Sequence, residues 1–219
     1  MSTTRRVIVL RHGQTLHNAG GIYQGHLDTD LSAMGEQQAA AAAQLLSGQS
    51  TTCIVSSDLT RAARTAQVLG SEAAVPVTYD RRLREIDVGA WAGLKHDEVA
   101  ARYPQETAAI AQGYDARRGG HGENLREVGL RTRAVFTEVV AALDEGQLAI
   151  LVTHGLAARA LVSSVLGWSD RQAWLTIAGL ENCHWAEMAQ HRTGWRLVSW
   201  NVGPLPGRPV RDQHVSTRH

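Results

Sequence analysis

Two histidines in this 219-residue chain stand where strands should end. The apolar run Val7-Ile8-Val9-Leu10 leads into Arg11-His12-Gly13, and Ala149-Ile150-Leu151-Val152 leads into Thr153-His154-Gly155. Open α/β sheets bind ligands beyond the carboxyl ends of their strands. A neutral imidazole placed there can act as a nucleophile, provided that its other ring N–H is held. Arginine beside it suits a phosphate, because its planar fork can grip two oxygens at once. A third strand end carries Ser56 and Ser57 and, one helical turn on, Arg61. Arg61 falls near a helix N-terminus, which itself favours an anion. Phosphoryl transfer also needs a proton donor for the departing oxygen. Glu85 and Asp87, in Arg84-Glu85-Ile86-Asp87-Val88-Gly89, are comparable candidates at this level. A carboxylate facing a bound dianion has its pKa raised, which suits an acid working near neutral pH. Each of these residues alone reads most simply as a surface charge or a satisfied polar group. Their joint appearance at matching strand ends shifts the balance towards a site.

The elements that must position them alternate between strand and helix. Continuous apolar runs at 7–10, 53–55 and 148–152 read as strands covered on both faces, with a shorter strand at 75–79. Ser32 caps an alanine-rich helix to about residue 46. Ser57 and Asp58 cap a helix over about 59–69, ended by Gly70. Residues 13–30 read as a loop over the site and 82–94 as an irregular segment beside it. A short helix over 95–103 is stopped by Pro104, and 105–122 is polar and glycine-rich. Apolar residues at helical spacing mark 124–143, and a further helix follows over 156–166. Residues 183–188 and 195–200 alternate like an antiparallel hairpin around Arg192-Thr193-Gly194. One α/β domain results, with a small helical excursion at about 95–122.

Composition narrows the partners. With 22 basic and 21 acidic residues the net charge is +1, so no basic footprint for nucleic acid is present. No apolar stretch approaches the roughly 18 residues of a membrane span, and no signal segment is seen at the start. Cys53 and Cys183 read as reduced, buried thiols, so the expected location is cytoplasmic. The ten histidines are scattered, without the paired spacing of a metal site. His17, His26, His96, His184, His191, His214 and His219 read as surface or core-edge residues, while His121 is a candidate for the cavity edge. The run Arg81-Arg82-Leu83-Arg84 reads as solvated surface, with a substrate carboxylate on Arg84 as its alternative. Trp185, Trp195 and Trp200 read as sealing one end of the core, with a homodimer contact as their alternative.

In order and spacing these residues resemble the histidine phosphatase superfamily, its phosphoglycerate-mutase-like branch. The likeness runs from about Val7 to Asn201. It is carried by Arg11-His12-Gly13-Gln14-Thr15 with Asn18, by Gln24-Gly25-His26-Leu27-Asp28, and by Ser56-Ser57-Asp58-Leu59-Thr60-Arg61. Leu83-Arg84-Glu85 with Trp91-Ala92-Gly93-Leu94, and Thr153-His154-Gly155, complete it. The resemblance implies a single-domain three-layer α/β/α sandwich with a mostly parallel central sheet over residues 1–202, followed by a loose tail over 203–219. It implies that His12 is phosphorylated, that Arg11, Arg61 and His154 complete the phosphate pocket, and that Glu85 is the acid and then the base. Asn18, Gln24, Gly25 and Gly155 would line the pocket, and the carbonyl of Gly13 would hold the second N–H of His12. No metal and no cofactor are implied, and the substrate would be a small phosphate ester.

The compact segment between Glu85 and His154 favours hydrolysis over a 2,3-bisphosphoglycerate-dependent mutase. A broad-specificity or α-ribazole-type phosphatase is a further alternative, and a non-catalytic phospho-ligand module is the reading from another class. Asn182-Cys183-His184-Trp185 and Trp195-Arg196-Leu197-Val198-Ser199-Trp200-Asn201 are similar to an actinobacterial subgroup acting on a phosphorylated sugar acid, glucosyl-3-phosphoglycerate. Residues 105–122 are expected to shape the substrate cavity.

Overall fold

A computed structural model describes residues 4–204. The tail expected from Gly203 lies, from residue 205 on, outside the described residues. The chain runs β1 (Arg6–Arg11), α1 (Leu16–Ala19), α2 (Ala33–Ser47), β2 (Thr51–Ser56), α3 (Thr60–Ala73), β3 (Val77–Tyr79), α4 (His96–Arg102), α5 (Pro104–Ala111), α6 (Leu125–Ala141), β4 (Leu148–Thr153), α7 (Gly155–Leu166), α8 (Asp170–Thr176), β5 (Trp185–His191) and β6 (Gly194–Val202). Two 3-10 turns, Arg81–Leu83 and Gly89–Trp91, punctuate the irregular segment.

The six strands form one sheet in the order β3-β2-β4-β1-β5-β6. The pairs β1–β4, β4–β2 and β2–β3 are parallel, and β5 and β6 add an antiparallel hairpin. Side chains alternate across the sheet as the period of two requires. Ile8 and Leu10 face Ala39, Ala42, Ala43 and Leu46 of α2 and Ala62, Ala66 and Leu69 of α3. Val7 and Val9 face Val135 and Phe136 of α6 and Ala158, Leu161 and Val162 of α7. Helices therefore cover both faces, the expected three layers.

Several local expectations are corrected. Gly70 does not end α3: a Cβ there would stand 2.7 Å from the Val75 carbonyl oxygen, so glycine permits close approach to the β3 region. The stop is Ala74, whose φ of 53° is left-handed. Asp58 does not cap α3 either. The Thr60 N–H donates to Asp28 Oδ1 at 2.7 Å, across from the loop after β1. Pro104 stops α4 and at the same time opens α5, in the first-turn position that tolerates a missing N–H. Cys183 is no strand residue: with φ 56° it turns the chain into β5, and its N–H donates to the Arg11 and His12 carbonyls. Cys183 is a buried free thiol as expected, whereas Cys53 is half-buried. The three C-terminal tryptophans point inward or bond the core. Trp195 packs edge-on against Phe136 at 4.8 Å, Trp185 is buried, and Trp200 Nε1 donates to the Ala178 carbonyl.

The excursion folds down as a cap. Tyr23, Trp91, Leu94, Val99, Tyr103 and Ile110 pack together with Trp174 and Leu156. The loop after β1 is stitched to it by Tyr23 N–H to Leu94 O, Gly93 N–H to Tyr23 O and His96 N–H to Gly21 O. Among the described residues no helix is long and apolar enough to cross a membrane.

Candidate active site

The register of the sheet brings the two histidines together. Arg11 of β1 pairs with Thr153 of β4, so His12 and His154 leave adjacent parallel strands side by side. Their ring centroids stand 5.0 Å apart, close to the spacing of neighbouring strands. The strand order inserts β4 between β1 and β2, the crevice where such sheets bind ligands.

His12 is buried, and its Nδ1 lies 2.6 Å from the Gly13 carbonyl oxygen. That bond places the proton on Nδ1 and leaves Nε2 as an acceptor, which receives Arg61 Nε at 3.3 Å. Burial, then Arg61 and Arg11, hold its pKa well below the usual value, so the ring is neutral. Gly13 can sit here because it lies against Gly35 of α2, where a Cβ would meet the carbonyl oxygen at 2.5 Å.

His154 is equally buried, and burial followed by Arg61 and His12 lowers its pKa in the same direction. Its Nε2 is 2.9 Å from Ser57 Oγ, which already accepts the Leu59 N–H. The hydroxyl can then donate to Nε2, which leaves the proton on Nδ1. Among the described residues that nitrogen has no hydrogen-bond partner.

Arg61, on the first turn of α3, is buried, and its pKa is lowered to about 10, chiefly by desolvation. The loop after β1 grips it: Nη1 donates to Leu27 O at 2.7 Å and Nη2 to Gly25 O at 2.8 Å. Gly25 has φ 51°, and a Cβ would stand 2.7 Å from Val88 Cγ2, so this turn requires glycine. Arg11 donates Nη1 to Leu180 O at 2.5 Å, and its buried Nε has no partner among the described residues. Its pKa is lowered by burial, with Glu85 opposing.

Glu85 rather than Asp87 enters the cavity. Its Oε1 accepts the N–H groups of Ile86 (2.9 Å) and Ala157 (3.0 Å), and Oε2 that of Leu156 (3.3 Å). The carboxylate thus rests on the N-terminus of α7, where the free N–H groups favour it. Asp87 instead accepts the Gly89 N–H at 2.9 Å.

These groups open on a cavity of about 450 Å³, the size of a small-molecule site. All the expected residues but His154 are among those lining it, including Asn18, Gln24, Gly25 and Gly155. The oxygens of both amides are engaged. Gln24 Oε1 accepts Thr29 Oγ1 at 2.6 Å, and Asn18 Oδ1 accepts the Thr15 N–H at 3.1 Å. Their NH₂ groups are thereby turned to serve as donors.

Other expectations fail here. No residue of 105–122 lines the cavity, His121 included; the end of this stretch is bonded to the irregular segment, where Gly119 O accepts the Ala90 N–H. His96 is exposed and His17 half-buried, as expected, and both also line the cavity. Arg84 does not, being held by Asp58 through bonds of 2.7 and 2.6 Å. Arg82 is likewise engaged, by Asp80 and Glu138.

Three positions at the site were given no role by the sequence reading. Asn182 Nδ2 donates to the His12 carbonyl at 3.0 Å. Arg131 of α6 clamps the irregular segment, donating to the carbonyls of Arg82, Arg84 and Glu85 while paired with Glu123. Arg159 of α7 lines the cavity. Helix α8, which packs a tryptophan against Arg159 and was not expected, could have been found from the box Ser169-x-x-Gln172, whose reciprocal caps are both formed.

The family model of the histidine phosphatase superfamily (branch 1) matches residues 7–203. The glucosyl-3-phosphoglycerate phosphatase of Mycolicibacterium vanbaalenii is 40% identical over 216 residues, with 90% of this chain and 95% of that protein covered. The protein of the same name from Mycobacterium tuberculosis (strain H37Rv) is 38% identical over 214 residues, at the same coverages. A solved mycobacterial glucosyl-3-phosphoglycerate phosphatase in complex with VO3 superposes with a TM-score of 0.85 at 37% identity, covering 91% of this chain and 100% of that one. The chain belongs to the histidine phosphatase superfamily.

Proposed function

We propose that this member of the histidine phosphatase superfamily is a metal-independent phosphomonoesterase working through phospho-His12 on a phosphorylated sugar acid such as glucosyl-3-phosphoglycerate. His12 Nε2 attacks phosphorus, the P–O ester bond breaks, and Glu85 gives its proton to the departing oxygen. The Glu85 carboxylate then takes a proton from water, whose oxygen attacks phosphorus. The P–N bond breaks and inorganic phosphate leaves. Arg11 Nε, His154 Nδ1, Arg61 and the amides of Asn18 and Gln24 hold the phosphoryl oxygens as charge shifts. The observation that carries this reading is the His12 tautomer: neutral, with Nδ1 on the Gly13 carbonyl and Nε2 turned to Arg61. The substrate class rests on the names of the mycobacterial relatives.

The same proposal takes residues 1–202 as one domain and the protein as cytoplasmic. It also includes a homodimer through β6, the sheet's edge, where Val198 and Val202 are exposed.

The test is phosphate release in EDTA by wild type and His12→Ala. The panel holds glucosyl-3-phosphoglycerate, 3-phosphoglycerate, sugar phosphates and an aryl phosphate. The expected result is EDTA-insensitive hydrolysis, fastest on glucosyl-3-phosphoglycerate and lost in His12→Ala. Return of 2-phosphoglycerate in place of inorganic phosphate would make the protein a mutase. Tight phosphate binding without turnover would make it a binding module.

A further inference from the structure

Arg159 lies one turn after Gly155 on α7, so both fall on the helix face that lines the cavity. Its residue is only 8% exposed. Its Nε is buried without a hydrogen-bond partner, and among the described residues no carboxylate or carbonyl accepts from its guanidinium. Burial alone lowers its pKa, with no neighbouring acid to oppose the shift. A buried guanidinium without a counter-charge is costly unless something pairs with it. Its flat face is already supported, since Cζ lies 4.8 Å from the ring centroid of Trp174. Stacking of this kind leaves the edge of the fork free for in-plane hydrogen bonds.

The location is as informative as the charge. Arg159 Nη2 lies beside Gly179, 3.7 Å from where a Cβ would stand, and the next residue, Leu180, accepts Arg11 Nη1. Gly155, at the start of α7, lies equally close to the Arg11 guanidinium. Arg159 thus continues the wall of the phosphate pocket, about 6 Å farther along the helix axis. One supported fork matches a monoanion with two coplanar oxygens.

We propose that Arg159 is a specificity-determining residue that binds the substrate carboxylate, so that the enzyme selects phosphate esters carrying a carboxylate close to the ester-bearing carbon. This rests on the phosphatase reading above and assigns to Arg159 the role that Arg84, paired with Asp58, does not fill.

The experiment compares wild type and Arg159→Met, which keeps an unbranched side chain against Trp174. The substrates are 3-phosphoglycerate and glycerol 3-phosphate, which differ by a carboxylate against a hydroxymethyl group. Wild type should favour 3-phosphoglycerate in kcat/KM, and Arg159→Met should lower that preference roughly 10- to 100-fold, mostly through KM. Equal losses on both esters, or an unchanged preference, would overturn the proposal while leaving the phosphatase reading intact. Calorimetric binding of 3-phosphoglycerate to His12→Ala with and without Arg159→Met gives a readout independent of turnover. Weaker binding in the double variant supports the assignment even if the wild type proves not to be a phosphatase, and equal binding overturns it.

Discussion

His12 and His154 are both buried and both held neutral, and that has a consequence for stability as well as for chemistry. In the unfolded chain each takes a proton below the ordinary value of 6.5, while in the folded protein neither does until the pH is much lower. The unfolded state therefore binds more protons as the pH falls, and stability is lost in that direction. The urea midpoint should drop between about pH 7 and pH 5, and should drop less in His12→Asn, which removes one of the two groups. A midpoint that is flat over this window, or identical pH slopes in the two proteins, would contradict the assignment. Ser57 is the positioning residue for His154, through the bond between Oγ and Nε2. Ser57→Ala should lower kcat about tenfold with little change in KM, because it frees the tautomer and not the substrate. An unchanged kcat would show that His154 needs no such partner.

At the scale of elements, Glu85 sits on a segment without regular structure that is held from outside itself. Arg131 of α6 donates to the carbonyls of three residues in it, Thr153 Oγ1 donates to Leu83 O, and α7 offers its first N–H groups to the carboxylate. Arg131→Met should cost about 2–3 kcal/mol in denaturant unfolding, as loss of charged hydrogen bonds does, and should lower kcat through the misplaced acid. Loss of stability with kcat intact would reduce Arg131 to a scaffold role. This clamp was invisible in the sequence, because Arg131 and Glu85 lie far apart in the chain and nothing local marks them as partners. The strand ends were legible for the opposite reason. Val7 to Leu10 and Ala149 to Val152 are short apolar runs, and the polar residue after each must sit at the rim of the sheet. Residue chemistry alone left Glu85 and Asp87 comparable and the family resemblance singled out Glu85; the placement of α7 gives the physical reason, since only Glu85 reaches its N-terminus. Gly70 misled as a helix stop because glycine marks close packing as readily as a cap, and only the position of Val75 and Val77 distinguishes the two.

On the scale of the whole molecule, the sheet order brings both histidines to one crevice, and the loop after β1 with His96 of α4 lines its outer side. Arg159, which lines the crevice but was missed, comes from a helix with no motif at that position, whereas Asn182 stood in a quoted motif without a role assigned to it. Trp185 is buried and Trp195 and Trp200 pack against the core, in keeping with their sealing role, and the proposed dimer is placed at the exposed valines of β6. Light scattering should give a dimer for wild type and a monomer for Val198→Lys, and a wild-type monomer would remove the homodimer from the account. What unites the molecule is the claim that His12 carries the phosphoryl group between substrate and water. The most direct measurement is rapid-quench mass spectrometry of the enzyme during turnover of an aryl phosphate, with the modified residue located by fragmentation. The account predicts an acid-labile phosphoryl group on His12, with His12→Ala slower by at least roughly a thousandfold. A label on another residue, or near-wild-type turnover in His12→Ala, would contradict it.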